Sequence, residues 1–309
     1  MIRVGTRASA LALAQARQVA ARLEAAGATV DVVPMRTEGD RLAEARLAVV
    51  GGKGLFVREL EGALLEGAID LAVHSLKDLP AELPAGLCLG AFPQREDARD
   101  VLVTRAPADL ASLAPGAVIG TSSPRRRAIL LSLRPDVAVE PIRGNVDTRL
   151  RKLAAGGWDA VVLAAAGLRR LGLEPAHCTL LDSEVFVPAV GQGILAVEAR
   201  AGDHATLERL AALDHAPTRA CAGAERASLG RLGASCVTPM AAHACTDGER
   251  LRMWALVASE DGRTVLRASA EGRARDAEAI GRGLAETLLA RGAAAVAALR
   301  PVPVGGFAS

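Results

Sequence analysis

Between Ile119 and Arg151 the chain sets seven arginines (125, 126, 127, 134, 143, 149 and 151) against three acids, Asp136, Glu140 and Asp147. Seven minus three gives a local balance of +4 in a chain whose total is +2, so the remainder is slightly acidic. Ser123 followed by Pro124 reads as an N-cap and a first helical residue. The hydroxyls and amides of Thr121, Ser122 and Ser123 then gather at a helix N-terminus, an anion site. Arg125 and Arg126 fall on the first turn, and Arg143 and Arg149 on the next crossover. Several guanidinium forks can thus converge on carboxylate or phosphate oxygens. A solvated arginine face has the same composition, and the stretch alone leaves both readings open.

Two further positions are suited to chemistry. Lys77 and Asp78 follow the buried run Ile69–Val73 and sit at a strand's carboxyl end, where open α/β sheets bind ligands. A carboxylate beside cationic groups stays ionised and can stabilise a cationic intermediate. The alternative is a surface ion pair contributing about 0 to 1 kcal/mol. Cys236 lies between small residues and a Val-Thr-Pro turn, an accessible setting for a thiol that must bond to something. Spacing does not separate it from Cys245. The five cysteines (88, 178, 221, 236 and 245) contain no CxxC pair, which argues against a disulfide framework or a structural zinc site. His177-Cys178 and His243-Ala244-Cys245 lack further ligands at suitable spacing, so no metal is expected.

Other motifs fail on context. GGKG at 51–54 lacks the P-loop spacing. GQGILA at 191–196 fits a loose dinucleotide pattern, but ILAVE reads as a strand where that pattern requires a helix. Nucleic-acid binding is disfavoured by the small net charge and the 2% aromatic content.

The elements that must position these residues alternate in type. A strand at 2–5 leads to a helix capped by Ser9, with Leu13, Ala16, Ala20 and Leu23 at helical spacing and an end near Gly27. Strands follow at 30–35, 69–73, 87–92, 101–104, 117–120, 137–142 and 159–164, with helices between several of them. TEGDRLAEARLAVVGGKGLF reads as a mobile loop. QREDARD (94–100) and VPAVGQG (187–193) read as crossovers between domains, with 194–198 returning as a strand. From Ala216 a helix, the cysteine loop, strands around 251–257 and 264–269 and a helix over 276–291 form a small α+β unit. The fold expected is α/β, with domain 1 discontinuous (1–94 and 194–215), domain 2 at 99–189 and domain 3 at 216–309. The start MIRVGTRAS has no hydrophobic leader, which sets the expectation of a cytoplasmic protein.

VGTRAS (4–9), GGKGLF (51–56), DLAVHSLKDLP (70–80), REDARD (95–100), GTSSPRR (120–126), IRGNVDTRL (142–150), LAAAGLRRLGL (163–173), VPAVGQG (187–193) and the loop at Cys236 are collinear. Together they resemble the porphobilinogen deaminase, or hydroxymethylbilane synthase, family over nearly the whole chain. The resemblance implies two periplasmic-binding-protein-like α/β domains plus a small α+β C-terminal domain. It implies a transferase of tetrapyrrole (porphyrin and heme) biosynthesis that condenses four porphobilinogens head to tail, releasing ammonia each time, and hydrolyses the product to hydroxymethylbilane. Its cofactor would be a covalent dipyrromethane joined by a thioether to Cys236. A monomer is implied, with the product passed to uroporphyrinogen-III synthase and neither nucleic acid nor membrane as partner.

Carried over by position, Asp78 matches the catalytic aspartate. Lys77, Thr121, Ser123, Arg125, Arg126, Arg143 and Gly144 match the cofactor-binding set. Arg7, Ser9, Arg149, Arg170, Lys53 and Phe56 match the substrate-binding set, the last two within the family's active-site loop. Each pyrrole brings an acetate and a propionate, so a growing chain accumulates negative charge that arginines neutralise. Val49 departs from a lysine found in some members, and Ala234-Ser235 precede Cys236 where glycines are common. The competing expectations are a two-lobed module that binds an anion without chemistry, and a nucleotide-dependent enzyme using GQGILA.

Overall fold

The computed structural model describes residues 1–35, 57–235 and 237–302. The chain divides into two compact units, Met1–Glu96 with Ile194–Arg219, and Asp97–Gly193 with Ala220–Ser309. In chain order the first stretch forms β1 (Ile2–Arg7), α1 (Ala10–Ala25), β2 (Val30–Met35), α2 (Arg58–Leu65), β3 (Leu71–Ser75) and β4 (Leu87–Ala91). The second unit opens with β5 (Asp100–Thr104), β6 (Val118–Gly120), α3 (Pro124–Leu133), β7 (Ala138–Glu140), α4 (Val146–Ala154), β8 (Ala160–Ala164), α5 (Ala165–Arg170) and β9 (Cys178–Leu180). The chain returns to the first unit in β10 (Leu195–Arg200) and α6 (His204–Ala211). The remainder is α7 (Ala216–Leu232), β11 (Met240–Asp247), β12 (Arg250–Ala258), β13 (Val265–Arg273), α8 (Ala277–Ala290) and α9 (Ala293–Val296).

The first unit's sheet runs β2-β1-β3-β10-β4 and the second unit's β7-β6-β8-β5-β9. These are one plan used twice. In each, three parallel strands are followed by an antiparallel strand brought from elsewhere in the chain, β10 beside β3 and β5 beside β8. GQGILA therefore runs into a strand, and the helix a dinucleotide site needs is absent there.

Strand alternation determines what each sheet buries. Ile2 and Val4 of β1, Leu71 and Val73 of β3 and Leu195 and Val197 of β10 close on Ala16, Val19 and Leu23 of α1. On the other face Leu60, Ala63 and Leu64 of α2 pack with Ile69 and Ala72. Gly5 permits that approach, since a Cβ there would lie 2.3 Å from Ile69 Cδ1. In the second unit Ala128, Ile129 and Leu130 of α3 share a core with Ile119, Ala160, Val162 and Phe186. Ala241, Leu256 and Ala258 of the antiparallel sheet β11-β12-β13 join the same core. Its other face is covered by α7 and α8, with Ala224, Met253, Val257, Leu284 and Leu288 in one cluster.

Candidate active site

In the first unit β3 delivers its carboxyl end into a 3-10 turn, Leu76–Asp78. The backbone fixes that turn: Leu76 N donates to Ile194 O at 3.0 Å and Leu79 N to Leu76 O at 3.1 Å. Gln15 of α1 adds a side-chain tie, its Nε2 donating to Ser75 Oγ at 2.8 Å. Asp78 is exposed and Lys77 half-buried. None of the turn's backbone bonds uses the Asp78 carboxylate, so the group is displayed without holding the turn together. Arg7 ends β1, half-buried, and the Ser9 hydroxyl accepts from Ala12 N at 3.3 Å as the N-cap of α1.

The second unit gathers most of the predicted anion contacts around α3. Ser123 caps that helix, its Oγ accepting from Arg126 N at 3.4 Å, with Pro124 at the first position. Thr121 is buried, and its hydroxyl accepts from Ser123 N at 3.2 Å. Arg125 and Arg126 are only 4% and 6% exposed, and the anion they meet is the chain's own Asp100, 0% exposed. Arg125 Nη1 donates to Asp100 Oδ2 at 2.7 Å and to Val187 O at 2.8 Å. Arg126 Nη2 reaches Asp100 Oδ1 at 2.7 Å, and its Nη1 reaches Val162 O at 2.8 Å. Gln192 completes the group, its Nε2 donating to Asp100 Oδ1 at 3.0 Å and to Ala98 O at 2.7 Å.

One carboxylate thus serves two cations. Burial opposes the charge on Asp100, but the two guanidiniums prevail and hold its pKa down at about 2. Burial lowers Arg125 as well; Asp100 opposes that, and the charge of Arg126, which shares the same carboxylate, adds to it. Arg149, on α4, feels the same field: burial first and the Arg126 charge second bring it down to about 10. Its Nε donates to Gly144 O at 2.8 Å. Three guanidiniums against one carboxylate leave this cluster two positive charges in excess.

Gly144 supplies that carbonyl from a backbone φ of +113°, where a Cβ would also lie 2.6 Å from Thr148 Cγ2. Arg143 is exposed, and its carbonyl accepts from Lys152 Nζ at 3.0 Å, adding a cation outside the predicted site residues. Arg170, at the end of α5, donates from Nη2 to Gly193 O at 2.8 Å. Asp100 and Gln192 organise the arginines and were also missed as individual residues. Both lie inside quoted motifs, REDARD and VPAVGQG. Lys53, Phe56 and Val49 lie outside the described residues, as does Cys236. On either side of Cys236, Ser235 N donates to Thr238 Oγ1 at 3.1 Å and Thr238 N to Ser235 O at 3.0 Å. Among the described residues no cluster of three His, Cys, Asp or Glu is arranged to hold a metal.

Residues 2–208 match the family model described as porphobilinogen deaminase, dipyromethane cofactor binding domain, and residues 219–290 match the porphobilinogen deaminase C-terminal domain. A porphobilinogen deaminase of Syntrophotalea carbinolica is 49% identical over 308 residues, covering 98% of both chains. One from Roseiflexus castenholzii is 50% identical over 297 residues, covering 96% of this chain and 98% of its own. Among solved structures, the methionine-binding protein MetQ is 13% identical with a TM-score of 0.44, covering 69% of this chain and 89% of that one. The family matches run through every segment that carries the arginine cluster and the Lys77–Asp78 turn: the chain belongs to the porphobilinogen deaminase family.

Proposed function

We propose that the arginine cluster of the second unit binds the acetate and propionate groups of the pyrrole chain, and that Asp78 is the catalytic group of the condensation. The chain is a transferase that joins four porphobilinogens head to tail with loss of ammonia and hydrolyses the product to hydroxymethylbilane, using a dipyrromethane cofactor. The observation that carries the site assignment is the two-charge excess of Arg125, Arg126 and Arg149 over Asp100. Such an excess, partly buried, is stabilised by an added carboxylate, and the cofactor and substrate bring two per ring. When bound, the cofactor supplies the terminal pyrrole carbon to which the first substrate is joined.

Within that reading each residue has a physical task. Arg143, Arg149 and Lys152 orient the side-chain carboxylates, with Thr121 and Ser123 at the start of α3 and Gly144 at the start of α4. Lys77 contacts the cofactor, and Arg7, Ser9 and Arg170 contact substrate, together with Lys53 and Phe56. As ammonia leaves porphobilinogen, positive charge develops over the pyrrole ring, and the Asp78 carboxylate, accepting from the pyrrole N–H, stabilises it. The same carboxylate is suited to receive a proton as the new bond is completed. Cys236 holds the cofactor through a thioether. Residues 216–309 act as a third domain that carries it, beside domains at 1–94 with 194–215 and at 99–189. The described cysteines 88, 178, 221 and 245 form no disulfide, which suits a reducing compartment, and we place the protein in the cytoplasm. It acts as a monomer that passes its product to uroporphyrinogen-III synthase.

The test is the intact mass of the purified protein followed by peptide mapping. The expected result is an excess of two linked pyrrole units on the peptide containing Cys236, absent from Cys236→Ala. An adduct on Cys245 would reassign the attachment residue, and a protein that stays unmodified after incubation with porphobilinogen would overturn the assignment. A second expectation concerns Arg149→Ala. Removing one charge-assisted hydrogen bond of about 1.5 to 3 kcal/mol should weaken substrate use by roughly tenfold to a hundredfold in kcat/KM. Arg143→Ala should impair cofactor assembly or stall elongation, visible as enzyme-bound species short of the full chain. Normal cofactor content and a full series of condensations would exclude Arg143 from the site.

A further inference from the structure

Below the Lys77–Asp78 turn, three ionisable side chains meet in the apolar interior of the first unit. His74 on β3 is 5% exposed, Glu61 on α2 7%, and Glu198 on β10 0%. His74 Nε2 lies 3.0 Å from Glu198 Oε2. The remaining Glu198 oxygen, Oε1, and Oε1 of Glu61 are both buried without a hydrogen-bond partner. Two carboxylates cannot both stay charged beside one imidazole in such surroundings at low cost.

α2 packs against β3, β10 and β4, and also meets Gly5 of β1 and Val33 and Met35 of β2, none of which is charged. The groups acting on Glu61 are His74 from β3 and Glu198 from β10, with Arg58 on its own helix, while Arg200 of β10 reaches the end of α2. Arg200 is committed elsewhere, its Nη1 donating to Leu64 O and Ile69 O and its Nη2 to Asp203. Burial first and the Glu198 charge second raise Glu61 above the ordinary carboxylate range, with His74 and Arg58 opposing. Cys88 of β4 pairs with Ala199 on the other face of the sheet, and burial and the Glu198 charge push its thiol up, so it adds no further negative charge.

We propose that Glu61 works as a neutral carboxylic acid whose proton keeps the Glu198–His74 contact closed, and that it is a positioning residue for the turn that carries Asp78. The route is short. β10 ties to the strand that feeds the turn through Glu198 on His74, and Ile194, just before β10, ties to the turn itself through its carbonyl on Leu76 N at 3.0 Å. Ionising Glu61 sets a second negative charge against Glu198 and loosens both ties. The coupling to turnover rests on the reading of Asp78 as the catalytic group.

The sign follows from linkage. A carboxyl whose folded value is raised gives stability that is complete below its unfolded value and is lost as pH rises through the folded one. Across that window the folding equilibrium constant of the wild type falls about tenfold per pH unit. Glu61→Gln keeps shape and neutrality and should remove the decline.

The experiment compares wild-type holoenzyme with Glu61→Gln in three readouts across pH: the denaturant midpoint, kcat and KM for porphobilinogen, and infrared difference spectra with 13C-labelled glutamate. The expected result is a wild-type carboxylic-acid C=O band persisting above the ordinary carboxylate range and absent from Glu61→Gln. A kcat limb with unchanged KM should also be lost in the variant. No such band in the wild type overturns the proposal, and so does a Glu61→Gln enzyme that retains the wild-type limb. Should the variant fail to fold, the wild-type infrared titration decides. The infrared and denaturation readouts report on Glu61 whatever the role of Asp78, whose failure would appear in its own variant.

Discussion

Asp78→Ala should fold like the wild type and lose turnover by roughly two to four orders of magnitude, the range spanned by removal of an electrostatic stabiliser or an acid/base group. The two halves of that expectation come from different observations. Asp78 is exposed, and the turn it occupies is held by Leu76 N on Ile194 O and Leu79 N on Leu76 O, neither of which uses its carboxylate. A surface substitution away from caps and buried networks changes stability by about 0.5 kcal/mol or less. The lost turnover therefore cannot be assigned to unfolding. Asp78→Asn should behave similarly, because the amide keeps the size and a hydrogen-bond acceptor but gives up the negative charge that a developing cation needs. Comparing kcat and the melting temperature of both variants checks the argument. Turnover near the wild-type level in either would remove Asp78 from the chemistry.

How much of this is legible in the sequence depends on the range of the interaction that fixes each feature. β2 reads directly as Val30–Met35, and α1 reads from Ser9 as its cap and the spacing of its apolar residues, because both signals are local. β9 does not read. Cys178–Leu180 has exposed ends, and its strand state comes from pairing with Val101–Val103 of β5. β11 is alanine-rich, with weak intrinsic strand preference, and is fixed by β12 and by the buried Glu225 accepting from Ala244 N at 2.8 Å. α6 is a local signal passed over, since Asp203 caps Thr206 N at 3.1 Å.

The site divides in the same way. Ser123-Pro124 and the arginines after it announce an anion site from local chemistry alone. That the first anion to arrive is Asp100 depends on β5 taking its place beside β8, with Asp100 opposite Ala164. Nothing near Arg125 in the sequence encodes that register. Asp78 reads correctly as a residue at a strand's carboxyl end, because an α/β sheet places such ends together whatever the loops do.

Asp100→Asn should cost about 3 to 5 kcal/mol of stability, the effect of breaking a buried ion pair from one side. The amide leaves Arg125 and Arg126, 4% and 6% exposed, without a counter-charge. It also turns an NH2 donor toward guanidinium donors. The pH dependence carries the signature. Because the Asp100 value falls from 3.8 to about 2, its stabilisation is present above the ordinary carboxylate value and is lost as pH drops from 3.8 through about 2. On the scale of 1.36 kcal/mol per unit, that acid limb amounts to roughly 2 kcal/mol, and the Asn variant should lack it. Urea midpoints for both proteins at neutral pH and down this window test the expectation, and equal stability at neutral pH would contradict it. A triple variant, Asp100→Leu with Arg125→Met and Arg126→Met, separates structure from function. Replacing a whole buried ionic group by apolar residues is often neutral or stabilising, so this protein should recover much of the stability lost in Asp100→Asn. It should not recover turnover, because the charge excess that draws the substrate carboxylates falls from two to one, that of Arg149 alone.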